Sequence, residues 1–258
     1  MGNSGLICYT KLSPNHSGQR THAIDRITPH CVVGQLSCET ICDCFPAGRN
    51  ASCNYGIGKD GRISLCVEEK NRSWCSSSNA NDQRAVTIEC ASDKSEPYTM
   101  TNAVYASLVK LCVDICKRNG KKKLLWFGDK AKTLAYNPAA DEMVITVHRW
   151  FANKSCPGDW LYSRLGDLAA QVTAQLSGSN RTSGSAGFPA TPFQVRVIVS
   201  DLNIRKQPCM GNNTTGKYTG KGVFTIVEVK DGWGKLKSGA GWIWLKNNNY
   251  CTVLNTVG

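Results

Sequence analysis

The run His148-Arg149-Trp150-Phe151-Ala152-Asn153-Lys154-Ser155-Cys156-Pro157 sets an imidazole, an amine and a thiol close together in the chain. Imidazole and thiolate are zinc ligands, and a lysine between them adds a positive charge beside the metal. Two protein ligands do not complete a site, since a catalytic zinc centre has three and keeps a fourth position open. The third must come from far away, and His30, at the end of Arg26-Ile27-Thr28-Pro29-His30-Cys31, is the candidate. The chain holds 14 cysteines against four histidines, so a His-x7-Cys pair alone is also what chance supplies. A further chemical group is Glu89, the one carboxylate in Arg84–Ala91. Burying a lone carboxylate in an apolar strand is costly, so it belongs on a wet face or in a site.

Several elements must position these groups. Residues 26–33 read as a strand, with Ile27 and Cys31 on one side and Thr28 and His30 on the other. Ser37 is placed to cap a helix running to Cys44, with Glu39 in its first turn. Cys31, Cys38, Cys42 and Cys44 offer either a second metal cluster or small apolar filler, and the lack of Cys-x2-Cys spacing favours filler. Ser52–Gly58 and Ile63–Glu68 read as two strands joined at Lys59-Asp60-Gly61-Arg62 by an Asp-Gly turn. Lys70–Arg84 reads as a polar loop whose Trp74 is a peg into the core or a platform for substrate. Arg84–Ala91 is a strand, and Met143–Val147 is an apolar approach to His148.

Val104, Leu108, Leu111 and Ile115 recur at helical spacing over Thr101–Arg118, and Asn119-Gly120 stops that helix. A second amphipathic helix is predicted over Asp159–Leu176. Residues 1–25, with His16 and His22, read as an irregular lead-in. Ser, Gly and Asn dominate from Ser177 to Gly187, as in a flexible tether. Beyond it the signals are short strands separated by Gly, Asn and Asp turns: Val195–Val199, Leu202–Arg205, Val223–Val229, Trp233–Leu236 and Trp242–Leu245. They predict a small barrel or sandwich in which Trp233, Trp242 and Trp244 serve as core, ligand platform or both.

With 258 residues, 41% hydrophobic and 19% charged, the chain can bury a core. Its net charge of +12 implies an anionic partner such as nucleic acid, a membrane surface or a bacterial wall. Residues 193–258 carry nine Lys/Arg and three Asp/Glu, or +6 of that total, and the even spread argues against a nucleic-acid stripe. No stretch approaches the ~18 apolar residues of a membrane span. No secretory signal precedes the first polar residues, so synthesis in a cytosol and free thiols are expected.

Taken together, RITPHC, NYGIGKDGRI, RSW, AVTIE and VHRWFANKSCPGDW, in this order, resemble the type 2 N-acetylmuramoyl-L-alanine amidases, the fold shared with peptidoglycan recognition proteins. SDLNIRKQP, GKYTGKGVFTIVEV, WGKLKSGAGWI and YCTVL resemble bacterial Src-homology-3-like wall-binding domains. The combination resembles a phage endolysin. The resemblance implies an α/β zinc amidase domain, a central mixed sheet with flanking helices, over residues 1–176. A linker over 177–192 and a small all-β SH3-like barrel over 193–258 follow. It implies Zn2+ held by His30, His148 and Cys156, with Glu89 and Lys154 catalytic. Tyr55, Trp74 and Trp150 are the implied substrate contacts, and Trp233, Trp242 and Trp244 the cell-wall contacts. In this reading Glu89 deprotonates water and returns the proton to the leaving nitrogen, while Lys154 and zinc stabilise the oxyanion. The bond cut joins N-acetylmuramic acid to L-alanine.

The implied partner is bacterial peptidoglycan, met at the cell wall by a monomer, without nucleic acid and without membrane insertion. Two departures stand out. Relatives carry Tyr-His where Cys53-Asn54 stands here, which leaves Tyr55 as the nearby tyrosine, and Trp-His where Trp74-Cys75 stands. The competing function is a non-catalytic peptidoglycan-recognition module; the presence of Cys156, Glu89 and Lys154 favours the enzyme.

Overall fold

The computed structural model describes residues 2–177, 188–208, 214–230, 232–245 and 250–254. The chain divides into two compact units, Met1–Ser179 and Asn180–Gly258. Most of the expected tether, residues 178–187, lies outside the described residues.

The first unit runs β1 (Ile7–Thr10), β2 (His16–Gln19), β3 (Arg26–Cys31), α1 (Cys38–Asp43), β4 (Tyr55–Ile57), β5 (Ile63–Leu65), β6 (Asn71–Ser73), α2 (Asn79–Arg84), β7 (Ala85–Cys90), α3 (Asn102–Arg118), β8 (Lys123–Leu125), α4 (Lys130–Ala135) and β9 (Glu142–Ile145). A 3-10 turn (His148–Trp150), α5 (Asp159–Tyr162) and α6 (Leu165–Leu176) follow. Seven strands form a mixed sheet in the order β1-β5-β4-β7-β3-β9-β8. Only β4 and β5 are antiparallel within it, across the expected turn, where Gly61 takes φ +86 against Ala103 of α3. Strands β2 and β6 pair separately.

In α3, Thr101 accepts from Val104 N, and Val104, Leu108, Leu111, Cys112, Ile115 and Cys116 are buried, so those cysteines are core. Ser37 caps α1 as the sequence predicts. Cys42 and Cys66 touch inside the same core, which gives the α1 cysteines the role of filler.

In the first unit the structure departs from the sequence reading at several points. The lead-in is not irregular, because β1 pairs in parallel with β5 and β2 pairs with β6. Ile7 and Tyr9 turn inward and Cys8 and Thr10 outward, the half-apolar pattern of a sheet edge. Lys70–Arg84 is not a plain loop but holds β6 and α2, with Ser78 accepting from Asn81 N as the helix cap. The helix expected over Asp159–Leu176 breaks after Tyr162. There the Arg164 guanidinium donates to Trp160 O at 2.8 Å and lies over the Trp160 ring, satisfying a carbonyl at the end of α5.

The second unit is all-β: β10 (Phe193–Val197), β11 (Asn203–Arg205), β12 (Thr214–Tyr218), β13 (Gly222–Lys230), β14 (Trp233–Leu236), β15 (Trp242–Trp244) and β16 (Cys251–Leu254). They join in one antiparallel sheet, β12-β11-β15-β14-β13-β10-β16. Phe193, Val195, Val197, Ile204, Ile226, Leu236, Ile243 and Cys251 are among its core residues. Phe188 stacks on Phe193 at 5.9 Å. Strands β12 and β16 carry no strand prediction; β12, Thr-Thr-Gly-Lys-Tyr, is polar because it is an exposed edge.

Candidate metal centre

Strand register builds the centre. β3 and β7 are parallel neighbours with His30 opposite Glu89. Cys90, the next residue on β7, lies beside Cys112 of α3, so Glu89 and His30 face away from that helix. On the other side β9 pairs with β3 through Ile27 opposite Ile145. His30 and His148 each stand three residues beyond that pair, so parallel pairing carries both imidazoles to one level. Their ring centroids are 5.1 Å apart.

The Cys156 loop then doubles back. Arg149 N donates to Cys156 O at 3.1 Å, Arg149 Nε donates to Ser155 O at 3.1 Å, and Arg149 Nη1 pairs with Asp159 at 2.9 Å. Gly158, at φ +82, closes the loop, and a Cβ there would sit 2.7 Å from Tyr98 Cβ and 2.8 Å from Pro97 O. The loop returns Cys156 Sγ to 3.2 Å from His30 Nδ1. The ligand atoms of His30, His148 and Cys156 all lie within 4.8 Å of one another.

His30 is 1% exposed, whereas His148 and Cys156 are half-buried, so the cluster has a closed floor and an open side. Burial, and then the neighbouring His148, pushes the His30 imidazole well below its usual range. Burial and then Lys154 lower that of His148. Both effects favour neutral imidazole, the form that binds metal. Burial pushes the Cys156 thiol well up, helped by its contact with Cys31. Burial also lifts the Glu89 carboxyl to about 7.

His30 Nε2 and Glu89 Oε2 are buried without a hydrogen-bond partner. Two orphaned polar atoms beside a thiol and a second imidazole make a costly arrangement in a plain core and a fitting one for a cation. Nitrogen, nitrogen and sulfur donors with one open side are a donor set suited to zinc.

Two residues at the centre are absent from the sequence reading of the site. Ser77 Oγ lies 2.9 Å from His148 Nε2, and Ser77 takes the left-handed conformation at φ 63. Cys75 Sγ lies 3.8 Å from Glu89 Oε1, held by the Asp82 carboxylate through the Cys75 amide at 3.0 Å. The Ser78 cap of α2 is the nearest sequence signal, while the loop itself is held by Asp82.

Lys154 is exposed, and its charge is felt at His148. Trp150 is 8% exposed and stacks on Trp126 at 5.1 Å, yet it also lines a hollow with Arg26, Ser77, Asn81, Lys130 and Phe151. Trp74 is half-buried with its indole N–H on Ser17 Oγ at 2.7 Å. Tyr55 does not reach the cleft. It is fully buried, donates to Glu69 Oε1 at 2.7 Å and accepts from Ser4 N at 2.9 Å. In the second unit Trp233 and Trp242 are buried and Trp244 is half-buried, its ring 5.0 Å from that of Trp233.

Residues 20–159 match the family described as N-acetylmuramoyl-L-alanine amidase. Solved structures similar to the chain include PlyL, at 14% identity and TM-score 0.46, covering 64% of this chain and 95% of that one. An AmpD derivative has 17% identity and TM-score 0.45, covering 66% and 99%. The Ph2119 endolysin of Thermus scotoductus MAT2119 bacteriophage Ph2119 has 16% identity and TM-score 0.40, covering 62% and 99%. No curated protein sequence matches the chain.

Proposed function

The chain belongs to the N-acetylmuramoyl-L-alanine amidase family and is a peptidoglycan amidase, and from that premise we propose how its residues divide the work. His30, His148 and Cys156 would hold zinc. When bound there, zinc supplies Lewis acidity, making water a stronger acid and an amide carbonyl a better electrophile. Glu89, in register beside His30, takes the proton of the attacking water and hands it to the leaving nitrogen. Lys154, at the open side next to His148, stabilises negative charge on the carbonyl oxygen. Arg149 and Gly158 hold the Cys156 loop in place. Trp150 and Trp74 are the aromatic walls for the glycan or stem peptide; Tyr55 has no part in this.

The carrying observation is the convergence of the three donors, with His30 Nδ1 3.2 Å from Cys156 Sγ, beside the orphaned Glu89 Oε2. It also favours catalysis over mere recognition, since recognition has no use for a metal donor set beside a buried carboxylate. The test is twofold. Elemental analysis of purified protein is expected to give about one zinc per chain. Digestion of purified cell wall is expected to release L-alanine amino termini without new reducing sugars, activity being lost on chelation and restored by zinc. Accumulating reducing ends, or full activity in dialysed, metal-free protein, defeats the reading.

The proposal extends to the whole chain as an endolysin acting at the bacterial wall. The all-β unit is read as an SH3-like wall-binding module joined by a tether over residues 177–192, and the protein as a monomer that needs neither nucleic acid nor membrane insertion. Trp244, the least buried of its three tryptophans, is the best placed to meet a ligand. Among the described residues no helix is long and apolar enough to cross a membrane.

A further inference from the structure

Two sets of donors converge on His30. One is His30, His148 and Cys156; the other is His30, Cys75 and Glu89, and in each set the ligand atoms lie within 4.8 Å of one another. The second set comes from different parts of the fold: Cys75 from the loop between β6 and α2, Glu89 from β7. Its edges are already close to those of a coordination polyhedron. Cys75 Sγ is 3.8 Å from Glu89 Oε1, and Glu89 Oε1 is 4.0 Å from His30 Nδ1. Around zinc, with sulfur at about 2.3 Å and nitrogen or oxygen at about 2.0–2.1 Å, tetrahedral edges are about 3.3–3.6 Å. Closing these two edges takes about 0.2–0.7 Å; the third, from Cys75 to His30, starts within 4.8 Å, and the other carboxylate oxygen, Glu89 Oε2, has no partner in the fold.

We infer that His30, Cys75 and Glu89 form an alternative seat for the same metal ion. It is one ion with two seats, not two ions, because His30 turns the same atom, Nδ1, toward Cys156 and toward Glu89. The inference rests on the metal reading above and adds a second ligand set to it. Occupying the second seat exchanges the Cys75 thiol proton for the metal, the proton leaving to solvent, and makes Glu89 a ligand. A carboxylate that holds the metal cannot also carry the proton of the attacking water, so the second seat stores the ion in an inactive position. It also gives the thiol that stands at position 75 a use that a buried apolar residue would not have.

Cobalt(II) is the probe, because thiolate ligation gives it a near-ultraviolet charge-transfer band that nitrogen and oxygen ligands do not. The full chain is titrated as the parent protein, as Cys156→Ser, and as Cys156→Ser combined with either Cys75→Ser or Cys31→Ser. Cys31 serves as the control because it touches Cys156 but belongs to neither donor set. The parent is expected to bind about one cobalt with the band. Cys156→Ser is expected to keep the band while losing wall hydrolysis. Adding Cys75→Ser abolishes the band, and adding Cys31→Ser leaves it in place.

A parent protein that binds no cobalt overturns the metal reading itself. A parent that binds, beside a folded Cys156→Ser that shows no band, overturns only the second seat. So does a band that depends on Cys31 instead of Cys75. Should Cys156→Ser fail to fold by circular dichroism, His148→Ala takes its place. That change leaves two residues of the first set and all three of the second, so cobalt should move to the second seat and the band should then require Cys75. A His148→Ala band indifferent to Cys75→Ser refutes the inference.

Discussion

Replacing Tyr55 by phenylalanine separates architecture from chemistry. The hydroxyl donates to Glu69, a carboxylate with no exposure, and accepts from the buried Ser4 amide. A hydrogen bond to a charged group is worth about 1.5–3 kcal/mol, and a buried donor left alone costs about 1–3 kcal/mol. Arg118 still holds both oxygens of Glu69, at 2.7 and 2.5 Å, so part of the loss is recovered. The expected net cost is about 2–4 kcal/mol. For a unit of this size each kcal/mol moves Tm by about 2–4 °C, giving a fall of about 4–16 °C. Calorimetry of the zinc-loaded full chain reads the transition of the larger unit, and kcat and KM on a soluble muropeptide are taken well below it. Unchanged kinetics with the lowered Tm is the expected result. A Tm within ~1 °C of the parent together with a raised KM would place the hydroxyl on substrate and refute the reasoning.

Glu89→Gln is expected to retain zinc and fold while turnover drops roughly 10²–10⁴-fold, since an amide cannot accept the water proton; a zinc-loaded variant with near-normal turnover removes Glu89 from the mechanism. Gly158→Ala forces a side chain into a left-handed position against Tyr98 and Pro97, at about 1–3 kcal/mol of strain. Zinc affinity measured by equilibrium dialysis should fall with stability, and parent-like affinity would show that the Cys156 loop does not depend on this glycine. Removing the chain beyond Ser179 should slow lysis of whole cells more than cleavage of a soluble muropeptide, because tethering raises the local concentration of enzyme at an insoluble substrate. Equal loss of both rates in a folded, zinc-loaded fragment would make the second unit part of the active site.

The sequence carries the centre where the centre lies on periodic structure. His30 and Glu89 end two apolar strands, and Thr101–Arg118 shows its buried face at helical spacing. Tyr55 shows where this stops. Strand alternation is readable, but the register of β4 against β7 is not: Gly56, not Tyr55, lies opposite Glu89, and Tyr55 lies opposite Ile88 on the other face. Ser77, and the place of Cys75 beside Glu89, stayed hidden for a different reason. Their loop is polar throughout, and its shape comes from the Asp82 carboxylate accepting from the amides of Cys75 and Ser76, a contact that leaves no periodic trace. β1 is half-apolar at a sheet edge, and its signal is weak on that account. In the second unit the core strands announce themselves, while the polar edge strand β12 does not.

Building a site on neighbouring parallel strands also dictates how the gene can change length. His30 stands opposite Glu89, and the side chains of a strand point to alternate faces. Deleting or inserting one codon within β3 or β7 would therefore bring Pro29 or Cys31, or Ile88 or Cys90, to the face that the imidazole and carboxylate now hold. No shift of a few ångströms repairs that, because the whole strand is turned over. The exposed run Asp93–Ser95 between β7 and α3 carries no such phase and lies ahead of Pro97 and Tyr98, which pack on the Cys156 loop. Length variation that spares activity is thus confined to the connections, and a library of single-codon insertions scored for wall lysis should divide sharply at the strand boundaries.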